Sequence, residues 1–236
     1  MANVRSARPQ AKAQLKAKAK AKAQPQLPAE EAAPPSTARA RLELDERRAQ
    51  LLALGVRFFS ESPYDQVSVD AVARAAGISK GLLYHYFSTK RDFYVAALRA
   101  AAQQLIDATA TEPETPPLLR LQRGLDSYLA YVERCAAAYA ALLRGGIGSD
   151  PAVAAIVEGT RQQFFFRMLE GLHTERPEPA LRTALRGWIG MVEAISLDWL
   201  DHRDLTLTAL RDLLIGMLLA SLQVATGNLP EGVGAP

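Results

Sequence analysis

The twenty residues from Ser68 to Phe87, SVDAVARAAGISKGLLYHYF, constrain the fold of this chain more than any other stretch. Ser68 and Ser79 each precede a short run with helical spacing. Serine is a preferred N-cap because its hydroxyl accepts a hydrogen bond from a free amide of the first helical turn. Gly77 lies between the runs, where glycine tolerates the left-handed backbone that ends many helices. The stretch predicts two short helices joined by a tight turn, the arrangement of a helix-turn-helix.

Helical spacing continues on both sides of this pair. Apolar residues recur at helical intervals at about 42–61, 90–108, 118–133, 135–144, 151–172, 178–201 and 206–225. Breaks between these segments lie at Pro63, Pro113 to Pro117, Gly145-Gly146, Pro177 and Arg203. No segment alternates polar and apolar residues with period two. The chain is therefore predicted to be all-α, with about nine helices in all.

The first 41 residues differ in composition from the rest. They consist mostly of Lys, Ala, Gln and Pro and hold nine basic and two acidic residues, whereas residues 42–236 hold 19 basic and 23 acidic ones. A segment with so little to bury is predicted to be disordered. Two roles remain open for it: a solubilising extension, or a basic arm that slides over nucleic acid by neutralising phosphates.

The second short helix has an inward and an outward face. Leu83 and Phe87 are four residues apart and are expected to enter the core. On the other side lie Lys80, Gly81, which lets the backbone approach closely, and Leu82, which can contact a thymine methyl. The second helix of a helix-turn-helix lies in the major groove of DNA, so this outward face is predicted to read base edges.

The aromatic end of the same helix is predicted to contact phosphates. Tyr84, His85 and Tyr86 offer hydroxyl and imidazole donors there, next to the predicted base-reading patch. Lys90 falls in the first turn of the following helix, where its charge adds to the free amides of the helix end. Phosphate contacts of this kind position a protein on DNA without reading the sequence.

The block from about Asp45 to Ala108 resembles the DNA-binding domain of the TetR family of bacterial transcriptional regulators. The resemblance is carried by a helix ending in Phe58-Phe59 and then by Ser68-Val69-x-x-Val72-Ala73-x-x-Ala76-Gly77-Ile78-Ser79-Lys80-Gly81-x-Leu83-Tyr84-x-Tyr86-Phe87-x-x-Lys90. It implies a homodimer of all-α subunits. Each subunit would have a helix-turn-helix DNA-binding domain at 42–108 and a ligand-binding and dimerisation domain at 109–226, between a basic tail at 1–41 and a C-terminal tail at 227–236.

The resemblance also implies roles for individual residues. By that match Ser68, Tyr84 and Lys90 hold phosphates. The residues nearest the base edges are Lys80, Gly81 and Leu82, on the outward face of the second short helix. The full set of expected DNA contacts is Ser68, Ser79, Lys80, Gly81, Leu82, Tyr84, His85, Tyr86 and Lys90. Leu82 departs from the Thr or Ser that is frequent in the family at this position, and because Leu82 cannot hydrogen-bond a base, the operator sequence does not follow.

The last two predicted helices carry a wide apolar surface. An apolar face broader than one stripe is typical of an interface, and pairing with a symmetry mate would form a four-helix bundle. Burial within the chain's own core is the alternative for part of each helix. The residues predicted for the dimer interface are Trp199, Leu210, Leu214, Met217 and Leu218.

Three successive aromatics at Phe164-Phe165-Phe166 also exceed one helical face. With other aromatic and methionine side chains of the C-terminal half they indicate an apolar pocket for a small, lipophilic effector, and ordinary core packing is the alternative. The residues predicted to line this pocket are Tyr128, Tyr131, Tyr139, Phe165, Met168, Trp188 and Met191.

Several classes of function find little support. Asp198, Asp201 and His202 share a helical face and could bind a metal, but a solvated, charged helix end explains them better. No catalytic cluster or phosphate-binding loop is visible, so neither an enzyme nor a cofactor is expected.

The longest apolar run, Leu213 to Leu222, has about half the length of a membrane span. One cysteine, Cys135, excludes an intrachain disulfide, and a cytoplasmic protein is expected.

The sequence thus predicts a homodimeric regulator of transcription, a repressor that a small effector releases from a palindromic operator on double-stranded DNA. The alternative is an architectural protein that compacts DNA without sequence preference through its basic tail.

Overall fold

The computed structural model of the chain describes residues 37–112, 114–144 and 146–227. These residues form nine helices and no strand, which confirms the all-α prediction. The helices are α1 (Thr37–Glu61), α2 (Val69–Ala75), α3 (Lys80–Tyr86), α4 (Lys90–Ala108), α5 (Pro117–Arg134), α6 (Ala136–Arg144), α7 (Pro151–Gly171), α8 (Pro179–His202) and α9 (Leu207–Thr226). The chain divides after Glu43, and the packing described below is that of the part from Leu44 onward.

Both predicted tails fall mainly outside the described residues. Of the N-terminal segment predicted to be disordered, 1–41, residues 1–36 lie outside the described part of the chain. The last five residues of that segment are helical instead, because α1 begins at Thr37 and its first turns, TARAR, contain the good helix formers Ala and Arg. The predicted C-terminal tail, 227–236, lies outside the described residues apart from Gly227, which ends α9 with φ 75°.

The helix pair of the opening stretch is built as its sequence predicts. The Ser68 Oγ accepts a hydrogen bond from the Ala71 amide at 3.3 Å, and the Ser79 Oγ accepts one from the Leu82 amide at 3.1 Å. Between them Gly77 adopts φ 66°. That left-handed residue lets the amide of the next residue donate back to the last turn of α2 and close it. The turn is short enough to set α2 and α3 against one another.

A first hydrophobic core holds α1 to α4 together around Phe93 on α4. The Phe93 ring is fully buried, and its centroid lies 5.5 Å from that of Phe59 and 4.8 Å from that of Phe87. The first core also takes in Val153 from α7, which is fully buried there. The C-terminal half is therefore packed directly against the helix-turn-helix.

A second hydrophobic core joins α5, α8 and α9. Two buried indoles fasten α9 and the segment before it to α8: the Trp188 Nε1 donates to the Leu214 carbonyl of α9 at 2.9 Å, and the Trp199 Nε1 donates to the Leu205 carbonyl, just before α9, at 2.8 Å. Helix α4 reaches this core through Leu105, so one helix contributes to both cores.

This packing corrects four of the five predicted dimer residues, and Met217 stays a prediction. Trp199, Leu210, Leu214 and Leu218 are buried within the chain's own second core, and Met217 is half-buried against it. Residues spaced four apart on α9 share one helical face, and α9 turns that face toward α8 and α5. The apolar side chains that α9 leaves exposed lie on the opposite face, namely Leu213 at 44% and Val224 at 88%.

By length and composition α9 is the one described helix that is apolar enough to cross a membrane. It is longer than the apolar run on which the sequence prediction rested, because its first turns add uncharged residues on both sides of Arg211 and Asp212. A core helix passes the same test, and five α9 residues lie in the core: Leu210, Leu214, Ile215, Leu218 and Leu222.

We expect Gly55→Ala to destabilise the protein. A Cβ at Gly55 would lie 2.6 Å from the Phe93 Cζ, and that ring is held by Phe59 and Phe87. Such overpacking costs about 1–3 kcal/mol, which outweighs the roughly 0.5–1 kcal/mol that Ala gains over Gly in a helix. Urea unfolding measures the difference in free energy of unfolding.

Gly159→Ala is the matched control, since a Cβ there meets nothing within 4 Å. It lies inside α7 and should stabilise the protein by about 0.5–1 kcal/mol. Equal stabilisation by both substitutions would show that the Phe93 ring is not held in place.

Candidate DNA interface and effector cavity

Helix α3 presents to solvent the residues that the sequence assigns to base edges. Lys80 and Gly81 are exposed, and Leu82 exposes 41% of its surface. Leu83 and Phe87 are buried in the first core, as their spacing predicts. The exposed part of the Leu82 side chain is available to meet a base methyl.

The aromatic end of α3 is divided between core and solvent. Tyr84 and Tyr86 are half-buried and pack against the first core, while His85 between them is exposed. The His85 and Tyr86 rings meet edge to face, with centroids 5.9 Å apart. Packing holds both tyrosine rings in place, as a positional contact to a phosphate requires.

The hydroxyl groups of the two capping serines can still donate a hydrogen bond at the surface. Ser68 and Ser79 use one oxygen lone pair each to cap a helix, and both residues are exposed. A hydroxyl accepts and donates at once, so each O–H remains able to donate to a phosphate oxygen. The same residues can therefore start their helices and contact DNA.

Lys80 is not free in this structure. Its Nζ lies 2.9 Å from the Asp70 Oδ2, and both side chains are about half exposed. The hydrogen bond lowers the pKa of Asp70 and raises that of Lys80. Asp70 lies in the first turn of α2, ten residues from Lys80, and helical periodicity within one element could not reveal this pair.

Lys90 is held in a similar way at the start of α4. Its Nζ lies 4.5 Å above the Tyr64 ring and 3.4 Å from the carbonyl oxygen of Asp65. Thr89 caps the helix by accepting from the Asp92 amide. The ammonium group is thus held against Tyr64, and Lys90 itself lies in the first turn of a 19-residue helix, whose free amides favour an anion.

A cavity of about 350 Å³ lies between α4, α5, α7 and α8. Phe59 and Tyr94 of the first core form part of its wall, together with Leu105 and Ile189 of the second. A ligand in this cavity would therefore touch side chains that hold the helix-turn-helix. Of the residues predicted for the pocket, those that line it are Tyr128, Tyr131, Tyr139, Met168 and Trp188.

Phe165 and Met191 do not line the cavity, which corrects the prediction. Phe164 takes this role instead, because it shares a helical face with Arg161 and Met168, three and four residues away. Phe165 is turned about 100° further round α7 and lies against Phe166, with ring centroids 5.9 Å apart. The run of three aromatics did not indicate which ring faces inward.

The middle of the cavity wall carries polar groups that satisfy one another. The Tyr128 and Tyr139 hydroxyls lie 2.5 Å apart, and burial raises the pKa of both. Arg161 reaches Glu193 with two nitrogens, at 2.6 and 2.9 Å, and this contact raises the pKa of Arg161. Both pairs are neutral overall, so this part of the wall offers a ligand hydrogen bonds but no net charge.

The residues considered for a metal site are engaged with other partners. Asp201 pairs with Arg144, and the His202 Nδ1 lies 2.9 Å from the Asp198 carbonyl oxygen. That hydrogen bond raises the pKa of His202. Within the part of the chain that the structure describes, no group of three or more His, Cys, Asp or Glu residues is placed to hold a metal ion.

The fold combines a helix-turn-helix with a cavity that reaches the same core, the architecture of a DNA-binding regulator of transcription. Residues 51–97 match the family described as bacterial regulatory proteins, tetR family, and residues 117–221 match the tetracyclin repressor-like C-terminal domain. The chain belongs to the TetR family of transcriptional regulators, as its sequence motif predicts.

Individual relatives agree with this assignment. A crystal structure of a TetR-family regulator from Streptomyces coelicolor is 34% identical, with a TM-score of 0.73, over 78% of this chain and 83% of that one. The HTH-type transcriptional activator FasR of Mycolicibacterium smegmatis is 31% identical over 120 residues, 50% of this chain and 55% of FasR. The repressor KstR of Rhodococcus jostii is 29% identical over 113 residues, 48% of this chain and 53% of KstR.

The chain thus spans about half the length of these two curated relatives. More distant structures share the fold alone. One is the regulator FadR of Bacillus subtilis, solved in complex with stearoyl-CoA. It is 17% identical, with a TM-score of 0.56, over 73% of this chain and 98% of that one.

We expect Asp70→Asn to raise affinity for random DNA and for a selected operator alike. The substitution releases Lys80 and removes a carboxylate that repels phosphates, so affinity should rise several-fold and the salt slope should steepen by about 1. Fluorescence anisotropy at several salt concentrations measures both quantities. Asp107→Asn, which makes the same charge change at the far end of α4, is the control. An equal rise with Asp107→Asn would reduce the effect to net charge.

Proposed function

We propose that the chain acts in the cytoplasm as a homodimeric repressor, which binds a palindromic operator and leaves it when a small lipophilic effector enters the cavity. One observation carries the proposal. The cavity wall includes Phe59 and Tyr94, which belong to the core that positions α3. An effector bound there would contact the core that positions the DNA-binding helices. It could therefore favour one arrangement of those helices over another, and release of DNA by a ligand requires such a preference.

Helices α4 and α7 supply the path between the two sites. They pack side by side, and both line the cavity. At the end nearest the helix-turn-helix, Arg91 of α4 holds Asp150 through two hydrogen bonds of 2.5 and 2.7 Å. Asp150 also caps α7 by accepting from the Ala152 amide. A ligand that displaces α7 would thus move the start of α4, next to α3.

The proposed DNA contacts divide into two kinds. Lys80, Gly81 and Leu82 would read base edges, since they form the exposed side of α3. The remaining contacts would position the dimer on phosphates, and these are Ser68, Ser79, Tyr84, His85, Tyr86 and Lys90. The proposal assigns sequence selectivity to the folded body, because the family matches cover 51–97 and 117–221 and leave the basic tail outside.

This division predicts two classes of variant. Tyr84→Phe and Lys90→Ala should weaken binding to all sequences alike, because each removes a phosphate contact. Lys80→Ala and Leu82→Thr should instead change the preferred sequence, by about 1–3 kcal/mol at the base concerned. Selection from a random DNA pool, followed by titration of selected and random duplexes, measures both effects. Equal losses on the two kinds of DNA for Leu82→Thr would contradict the assignment.

The proposed dimer face lies on the solvent side of α8 and α9. Among the described residues, a stripe of small or apolar residues is exposed there. They are Gly187, Gly190 and Ala194 on α8, and Leu213, Gly216, Ala220 and Val224 on α9. Small residues let helix axes approach closely, so two such pairs would form the four-helix bundle expected from the family resemblance.

Ala220→Arg should convert the dimer into a monomer, because it places a long charged side chain in the middle of this face. Ala220 is exposed in the single chain, so folding should be unaffected. Sedimentation velocity at micromolar concentration measures the mass. Ala155→Arg, at an exposed position on α7, is the matched control and should remain dimeric. A dimer that survives Ala220→Arg would place the interface elsewhere.

The apolar lining supports a lipophilic effector. Aromatic and aliphatic side chains form most of the wall, and the polar pairs in its middle are neutral overall. Pockets of this kind bury most of the ligand and use a few polar groups to orient it. FadR of Bacillus subtilis, which shares the fold, was solved with stearoyl-CoA, a ligand with a long apolar chain.

A further inference from the structure

We propose that the effector is an amphipathic anion, whose carboxylate or phosphate binds at Arg120 while its apolar body fills the cavity. This inference rests on the proposed function in taking the cavity as the effector site. It concerns the end of the cavity farthest from the helix-turn-helix, where the last turn of α4, the first turn of α5 and the last turn of α7 meet. Arg120, Thr109 and Gly171 line the cavity there.

Arg120 is half-buried in this wall and unpaired. Among the described residues, no hydrogen bond, ion pair or ring contact engages its guanidinium. By contrast, Arg161 in the middle of the wall is neutralised by Glu193. A guanidinium presents five donors in a planar fork that matches a carboxylate or a phosphate. With no acceptor among the described residues, the five donors stay available to a ligand in the cavity.

The neighbouring charges leave this end positive. Arg167 donates to the Ile106 carbonyl at 2.7 Å and to the Thr109 Oγ1 at 2.8 Å, and neither acceptor carries a charge. Glu170, which is exposed, is the one acidic residue of the cavity wall at this end. Two guanidinium groups therefore face one carboxylate. Just outside, a shallow hollow holds Glu112 and Arg123, which offset one another, and Asp126, which pairs with Arg211 at 3.1 Å.

Two glycines keep this end accessible. A Cβ at Gly171 would lie 3.7 Å from the Arg120 Nη2, and a Cβ at Gly124 would lie 3.7 Å from the Thr109 carbonyl oxygen. The missing side chain at Gly171 leaves space next to the Arg120 guanidinium, and that at Gly124 leaves space next to the Thr109 carbonyl. The cavity of about 350 Å³ behind it falls in the size range of small-molecule sites. The arrangement suits a ligand with one anionic group at the end of an apolar body.

The test uses the full-length protein and two fluorescent probes that share one ring system. 1-Anilinonaphthalene-8-sulfonate carries an anionic group, and N-phenyl-1-naphthylamine lacks it. Wild-type protein should bind the sulfonate at least about tenfold more tightly, since a hydrogen bond to a charged group is worth that much. Arg120→Gln should remove most of this preference. Arg123→Gln, three residues away on α5 and outside the cavity, should retain it.

Three outcomes would overturn the inference: equal affinity of the wild type for both probes, an equal loss of preference in the two variants, or binding of neither probe. Displacement of the sulfonate then distinguishes the source of the anion. Dodecanoate or dodecyl phosphate, or both, should displace it at about tenfold lower concentration than dodecan-1-ol. Equal potency of all three would also contradict the inference.

DNA binding, measured in parallel, separates this inference from the proposed function. Arg120→Gln should bind a duplex selected by the wild type with unchanged affinity, because Arg120 lies far from α3. If the wild type binds that duplex but shows no preference for the anionic probe, only the inference about the anion site is overturned. A wild type without sequence-selective DNA binding would overturn the proposed function, whatever the probes show.

Discussion

Helix α4 is buried by two hydrophobic cores at once, and the rest of the structure depends on this. Near its start Phe93 and Ala97 lie in the core of the helix-turn-helix, and near its end Leu105 lies in the core of α5, α8 and α9. Fully burying a large side chain contributes about 1.5–3 kcal/mol, so both ends are held firmly. Packed cores adopt discrete arrangements, and a shift of α4 in one core requires repacking in the other.

Helix α7 connects the cavity to the core of the helix-turn-helix. Val153 enters the first core, and the Asp150 carboxylate joins α7 to Arg91 while capping α7 itself. Further along, Thr160 and Phe164 form part of the cavity wall. One helix therefore contacts the cavity through its middle and the DNA-binding core through its start. Under the proposed function, an effector acts by changing the distance between α7 and α4, and each interaction at the start of α7 transmits that change.

The DNA face is restrained within the free chain. Lys80 is paired with Asp70, and Lys90 is held by the Tyr64 ring and a backbone carbonyl. A phosphate or base must compete with these partners, which lowers the affinity for every DNA sequence. Specificity is a difference between affinities, so a cost common to every sequence lowers overall affinity and leaves discrimination to the base contacts. Residues 42–94 hold seven basic and seven acidic groups, so their net charge adds no general attraction to DNA.

Local chemistry within single elements was predictable from the sequence. The serine caps, the glycine turn, the inward positions of Leu83 and Phe87 and the motif of the family all depend on neighbours within a few residues. The all-α fold followed from periodicity, and the TetR family from the spacing of one short block. The start of α1 was predicted five residues late, because the composition of the tail continues into its first turns.

Only the tertiary structure decided which face of each long helix is covered. Trp199, Leu210, Leu214 and Leu218 are as apolar as an interface, yet they fill the chain's own core, and Phe164 rather than Phe165 reaches the cavity. Periodicity defines a face but not what packs on it. The tertiary structure likewise decided that Asp70 pairs with Lys80 and that Arg91 pairs with Asp150. It also decided that Arg120 has no partner among the described residues. Each depends on how separate helices are placed, whereas the sequence by itself determined the helices, their caps and the family.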